Sequence, residues 1–226
     1  MQKTIIYLFF LLIPLVSYGA DADFGLIKIA KEDVYQEMNL AETGLSRDVF
    51  DLAVKGLNKL DTTGKLQNAS IVTIADYSQS SNRKRLYVID LKNKRLLFNT
   101  FVAHGRNTGQ EYAKSFSNDN GSSKSSMGFY VTEKPIMGGH TGFALQIDGV
   151  EKGYNDHALQ RSIIIHAANY ATADFIKRNG RLGRSQGCPA LPPDLNKPII
   201  DTIKNGTCLF IYSPNNKYLC SSTLLN

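Results

Sequence analysis

The chain has 226 residues, long enough for one main domain with a substantial core. Its 26 Lys and Arg against 20 Asp and Glu give a net charge of +6. There is no polybasic run and no regular interleaving of aromatics, which sets nucleic acid aside as a partner. The aromatics are all Phe and Tyr, and the lack of Trp leaves no indole platform for stacking on sugars.

Residues 1–20 read as an export signal. Lys3 is its one charge, Ile5 to Val16 form the apolar stretch, and Ser17-Tyr18-Gly19-Ala20 offers small residues for cleavage. The apolar run is shorter than the roughly 20 residues a spanning helix needs. The expectation is therefore an exported protein, periplasmic or envelope-associated, with no retained membrane span. The modest basic excess left after cleavage suits an anionic envelope polymer.

Residues 21–66 are expected to be a helical prefix and residues 67–226 the main domain. Within the prefix, Val49, Phe50, Ala53, Leu57 and Leu60 recur at three-to-four spacing after Ser46, a helix cap, with Leu45 positioned to staple onto Phe50. A shorter helix is expected near residues 32–40. The period then switches to two, and strands are predicted over 71–75, 85–91 and 95–102, the last two joined by a turn at Lys92-Asn93. His104 follows in a loop, where an exposed or structural role is expected. Residues 110–126 are rich in Ser, Asn and Gly, a long loop of the kind that often covers a cleft and orders on binding substrate.

In Gly138-Gly139-His140-Thr141-Gly142 the glycines allow a sharp turn and a close approach of backbone to a ligand. His157 lies in a polar run and is expected at the surface. A strand over 161–166 ends in Ile163-Ile164-Ile165-His166, and a short helix over 172–179, capped by Thr172 and stopped by Gly180, brings the chain back. Leu195, Ile199, Ile200 and Ile203 share a helical face, with Pro198 marking its start or a kink, and residues 207–212 read as a final core strand. Four histidines at scattered positions have no zinc-type spacing, so neither a metal nor another cofactor is expected.

Between the short helix and its successor stands Gly183-Arg184-Ser185-Gln186-Gly187-Cys188-Pro189-Ala190-Leu191, its Cys188 lying 22 residues after His166. A cysteine in a glycine-containing turn and a histidine ending a buried strand are the parts that nucleophilic thiol catalysis needs. Export permits disulfides. With three cysteines, one pair and one free reactive thiol is the economical arrangement. A hairpin centred near Pro214 would set Cys208 opposite Cys220.

The His166…Ser185-x-Gly187-Cys188 arrangement resembles the L,D-transpeptidase catalytic domain of bacterial peptidoglycan enzymes, in the branch with Gly-Arg-Ser-x-Gly-Cys-Pro-Ala-Leu. Gln186 stands where the better-known branch has a second histidine. The resemblance runs from about Ile71 to Tyr212 and implies a mainly β fold, a sandwich or partly closed barrel with short helices. It also implies Cys188 as nucleophile on a peptidoglycan stem peptide, His166 as its base oriented by a backbone carbonyl, and Gly187 with Cys188 as oxyanion donors. Arg184, Ser185, His140, Ser126 and Tyr130 are the implied substrate-binding residues, with Arg184 alternatively stabilising thiolate charge and Ser185 alternatively supporting the turn. Ser126 and Tyr130 come from Ser125-Ser126-Met127-Gly128-Phe129-Tyr130, similar to a segment preceding a cleft strand in that family. An L,D-carboxypeptidase or another exported thiol peptidase would use the same residues, and a non-catalytic wall-binding module would need neither Cys188 nor His166.

Overall fold

The structure is a computed structural model that describes residues 34–226, which form one compact unit. The expected export signal lies outside the described residues. After a single 3-10 turn at Leu40–Thr43, helix α1 spans Arg47–Asp61. Its cap is the expected one, since the Ser46 side chain accepts from the Val49 N–H at 3.3 Å. The apolar stripe is buried along its length, and Leu45 and Phe50 are both buried as a staple requires.

Eight strands follow as one sheet: β1 Ile71–Asp76, β2 Leu86–Asp90, β3 Arg95–Thr100, β4 Gly128–Gly138, β5 Gly142–Gly149, β6 Ile164–Ala167, β7 Ala190–Leu191 and β8 Cys208–Tyr212. Their order in space is β3-β2-β1-β8-β4-β5-β6-β7. The two edges then meet. Just past β3, Ala103 pairs with Ala190 of β7 through reciprocal backbone bonds of 2.9 and 3.2 Å, so the sheet curls into a nearly closed barrel. Closure removes the exposed edges that a sheet of this size would otherwise present.

Alternation along the strands sorts the core. Ile71, Val88, Leu145, Ile147, Ile165 and Leu209 point into the barrel, which helix α3 (Pro193–Ile203) completes with Ile199, Ile200 and Ile203. Pro193 opens this helix and Pro198 sits inside it, so Pro198 does not mark the start. On the outer face Phe129 of β4 stacks on Phe210 of β8, with ring centroids 4.1 Å apart. Helix α1 covers them through Gly56, where a Cβ would fall 2.0 Å from Phe129 Cζ. The helical segment is thus one layer of the main unit.

Two further helices complete the chain. Helix α2 (Ala173–Asn179) has the cap and stop expected of it: the Thr172 hydroxyl accepts from the Phe175 N–H, and Gly180 takes φ 77°. Helix α4 (Asn216–Ser221) replaces the expected hairpin. Asn215 caps it, accepting from the Tyr218 N–H at 2.9 Å, and β8 therefore has no antiparallel successor for Cys220 to occupy. Cys208 is buried and Cys220 exposed, and all three cysteines are free. The expected Cys208–Cys220 disulfide is absent because the turn residues start a helix. Among the described residues, no helix is long and apolar enough to cross a membrane.

Candidate active site

Strand β6 lies between β5 and β7, antiparallel to the first and parallel to the second, with His166 opposite both Ala144 and Ala190. Because β7 begins two residues after Cys188, the pairing sets the cysteine turn on the strand next to the histidine, at the seam where the barrel closes. The main-chain N–H of His166 donates to the Pro189 carbonyl at 3.3 Å, which ties the two residues' segments directly.

The turn itself is held from both sides. Ser185 donates its hydroxyl to the Cys188 carbonyl at 2.6 Å and accepts the Gly187 N–H at 3.0 Å. Its own N–H donates to the His104 carbonyl at 3.0 Å. From the other side Ser125 donates to the Gly187 carbonyl at 2.9 Å, while accepting the Gly105 N–H at 3.0 Å. Gly187 takes φ +129°, and a Cβ there would lie 2.9 Å from the Lys124 carbonyl. Glycine is required here by both conformation and space.

Cys188 is partly exposed. Its Sγ donates to the Ser162 carbonyl at 3.8 Å. Burial pushes the thiol above its ordinary value, opposed by the Ile164 N–H and then by the positive charge of Arg161. The resting group is therefore a neutral thiol. His166 is nearly buried, and its Nδ1 lies 2.9 Å from the Ala167 carbonyl, which fixes Nδ1 as the protonated nitrogen and leaves Nε2 free to accept a proton. A backbone carbonyl orients the ring, as expected. Thiol and imidazole make no hydrogen bond to each other.

His166 opens onto a groove of about 380 Å³ that it shares with His140, Thr141, Asn169, Tyr170 and Pro193. His140, in the β4–β5 turn, is exposed and lines this groove. Tyr170 lines the groove too, and burial and then the charge of a Cys188 thiolate push its phenol up to about 12.

Other expected site residues are placed differently. Ser185 is 5% exposed and its hydroxyl is fully engaged within the turn, so it supports the turn and offers nothing to a substrate. Gly187 spends its N–H on Ser185, which removes it as an oxyanion donor. Among the described residues the Cys188 N–H bonds to no other residue and acts on its own sulfur, and it is the donor the turn leaves available. Arg184 donates to the carbonyls of Arg106 and Gly109, each at 3.2 Å, and buttresses that loop. Tyr130 is fully buried, its hydroxyl donating to Ser126 at 2.8 Å, and Ser126 is buried with it. Neither reaches the groove.

The residue that sequence reasoning missed is Arg161. It lies just before Ser162 and is half-buried, and it donates to Ser117, Ser122, Lys124 and Ser126. Only a spacing of 35 to 44 positions links it to those partners, and no local pattern carries such a signal. The polar stretch it holds is the second half of the long loop, in which Ser123, Ser125 and Ser126 are buried. His104 is structural: its Nδ1 accepts from Arg85 at 2.8 Å, beneath the turn. His157 is at the surface, against Asn118. Among the described residues no three His, Cys, Asp or Glu side chains gather as a metal site requires.

A sequence profile described as the L,D-transpeptidase catalytic domain matches residues 41–212, which include the whole of this seam. The chain belongs to the L,D-transpeptidase catalytic domain family. No curated protein matches the sequence. Among solved structures the chain is similar to an L,D-transpeptidase from Mycobacterium smegmatis, at 12% identity and a TM-score of 0.40, over 64% of this chain and 59% of that one. An L,D-transpeptidase from Mycobacterium tuberculosis H37Rv gives 16% identity and a TM-score of 0.40, over 64% and 58% of the two chains. The helical cell shape determining protein Pgp2 from Campylobacter jejuni gives 16% identity and a TM-score of 0.45, over 65% and 49%. This L,D-transpeptidase-family chain thus spans between about half and three fifths of the length of these structures.

Proposed function

We propose that the protein is an exported L,D-transpeptidase that acts on peptidoglycan stem peptides through a thioester at Cys188. The supporting observation is the β6–β7 pairing, which sets the Cys188 turn beside the carbonyl-oriented imidazole of His166. Because burial disfavours the thiolate, the thiol needs a base at the moment of attack, and Nε2 of His166 is the free acceptor. The thiol first turns from the Ser162 carbonyl toward the imidazole. His166 takes its proton as Sγ bonds to the carbonyl carbon that joins the third and fourth residues of the stem.

The developing oxyanion accepts from the Cys188 N–H, a contribution of about 3–4 kcal/mol per donor in comparable sites. Collapse breaks the C–N bond, and the leaving amine carries off the proton held by His166. An acceptor amine then attacks the thioester, losing its proton to His166 and releasing the thiol. With water as acceptor the same steps trim the stem. The groove beside His166, with His140 at its rim, takes the stem on the imidazole side.

Intact-protein mass spectrometry with a carbapenem tests the nucleophile, and turnover of a tetrapeptide donor with and without an acceptor stem tests the reaction. The adduct is expected on Cys188 and on neither other cysteine. Cys188→Ala should abolish it, and His166→Ala should slow acylation by about 100-fold or more. Turnover retained in Cys188→Ala would refute the reading. Trimming alone, with no cross-linked product, would assign the chain to the carboxypeptidases.

A further inference from the structure

Arg161 stands apart from the other buried cation near the turn. Arg85 is fully buried beneath the turn, bonded to the carbonyls of Val102 and Gln79 and to His104, with its guanidinium over the Tyr77 ring. It holds the floor of the site. Arg161 sits at the side, against the nucleophile turn: one of its Nη atoms lies 3.5 Å from the point that a Cβ on Gly187 would occupy.

Every acceptor of Arg161 is neutral. Nη1 donates to the Ser117 carbonyl at 2.8 Å and to Ser126 Oγ at 3.3 Å. Nη2 donates to the Lys124 carbonyl at 2.6 Å and to Ser122 Oγ at 3.2 Å. Among the described residues it forms no ion pair, and Asp119 acts on it only through its charge. A half-buried guanidinium held only by carbonyls and hydroxyls keeps its charge unneutralised and favours any anion that forms beside it. The anion that the proposed reaction forms there is the Cys188 thiolate, whose Sγ already contacts the carbonyl of Ser162, the next residue in the chain.

We propose that Arg161 is a positioning residue for Cys188, pinning the loop of residues 117–126 against the nucleophile turn and holding a fixed positive charge beside the thiol. This rests on Cys188 being the nucleophile. The charges reinforce one another. Burial disfavours the charged arginine, and the phenol oxygen of Tyr130, then Cys188 and Asp119, favour it; burial disfavours the thiolate, and the Ile164 N–H and then Arg161 favour it. The other titratable groups around the pair are Tyr77 below, Tyr170 across the seam, His166 on β6, and Asp119 and Tyr130 on the side of Arg161. None of these supplies a permanent cation. Tyr130 and Ser126, which do not reach the groove, have their role here, since Tyr130 donates to the same Ser126 oxygen that receives Arg161.

The test is the pH dependence of Cys188 alkylation by iodoacetamide in the full chain, read by peptide mass spectrometry so that exposed Cys220 is scored separately. Arg161→Gln should raise the midpoint by about one pH unit or more, the effect of removing a nearby, partly desolvated charge. Arg161→Lys retains the cation and should keep the midpoint of the wild type, while amide exchange in residues 117–126 speeds up because the fork is lost. An unchanged midpoint in Arg161→Gln, or an equal upward shift in both variants, overturns the proposal. If Arg161→Gln does not fold, Arg161→Lys decides: a retained midpoint supports the role, and an upward shift of about one unit refutes it. Alkylation does not depend on turnover. Failure of the functional reading would show separately, as donor turnover surviving in Cys188→Ala.

Discussion

The Ser185 hydroxyl closes the nucleophile turn on itself, donating to the Cys188 carbonyl and accepting the Gly187 N–H. With an alanine there, both backbone groups would stay buried without a partner. Ser185→Ala should cost about 1–3 kcal/mol of stability in urea denaturation. It should also lower the acylation rate by roughly 10-fold to 100-fold, because the thiol loses its fixed aim. Below the same turn, His104 carries a pH signature. Burial, and then the charge of Arg85, push its imidazole down to about 3 from 6.5. The unfolded chain therefore binds a proton that the folded chain refuses. Stability linked to His104 is full above about pH 6.5 and is lost progressively as pH falls toward 3, with a slope approaching about 1.4 kcal/mol per pH unit. Comparing urea midpoints of wild type and His104→Gln across this window isolates the effect: the wild-type curve should be the steeper.

Helix α4 shows how one buried side chain redirects a whole element. Glu151 is 4% exposed, and its carboxyl group accepts from the Phe129 N–H and the Tyr218 hydroxyl, each at 2.7 Å, and from the Ser222 hydroxyl. Two of these three donors come from the carboxyl-terminal segment, so the acid clamps that segment to the outer face of the sheet. Glu151→Ala should cost about 2–3 kcal/mol, in line with losing hydrogen bonds to an acidic group. The clamp also determines what the remaining cysteines do. Cys208 looks into the packed layer and Cys220 faces solvent. Under native conditions a maleimide should label Cys220 quickly and leave Cys208 unlabelled until denaturant is added. Non-reducing peptide mapping should find both as free thiols. A Cys208–Cys220 crosslink in that map would contradict the described fold.

At the scale of the molecule, the seam that closes the barrel is also where the site forms. The Ala103–Ala190 bridge, the Gly105–Ser185 bridge and the loop of residues 122–126 all converge on the turn before β7. Closure of the barrel and the geometry of the proposed site are coupled for that reason. Helix α1 takes part from the opposite face, through Gly56 on the Phe129 ring. A chain starting at residue 67 would expose the stacked Phe129 and Phe210 together with their neighbours. It should be largely insoluble, or show only a broad, non-cooperative thermal transition by circular dichroism. A soluble, cooperatively folding truncation with wild-type acylation would show that the helix is dispensable.

Local patterns in the sequence determined a good deal of this protein. The Ser46 and Thr172 caps, the Gly180 stop, the period-two strands and the Gly187-Cys188 turn all depend on neighbours a few residues away, and the folded chain keeps them. His166 at the end of its strand, oriented by a backbone carbonyl, was legible for the same reason, and the Cys-His spacing was distinctive enough to point to the family. Tertiary structure alone decided how the barrel closes, that Ser125 and Arg161 brace the nucleophile turn from the loop side, and which expected contact residues are buried instead. Tyr130 and Ser185 have side chains that suit substrate binding, but their hydrogen-bonding capacity is taken up inside the fold, and Arg184 commits Nη1 to two loop carbonyls. A buried polar group must find its partners wherever the chain brings them. Arg161 finds its four in a loop 35 to 44 positions away, and Glu151 finds its two hydroxyls 67 and 71 positions away. The hairpin reading of the carboxyl end failed on the same ground, since Asn215 and Tyr218 form a helix once Glu151 is there to receive it.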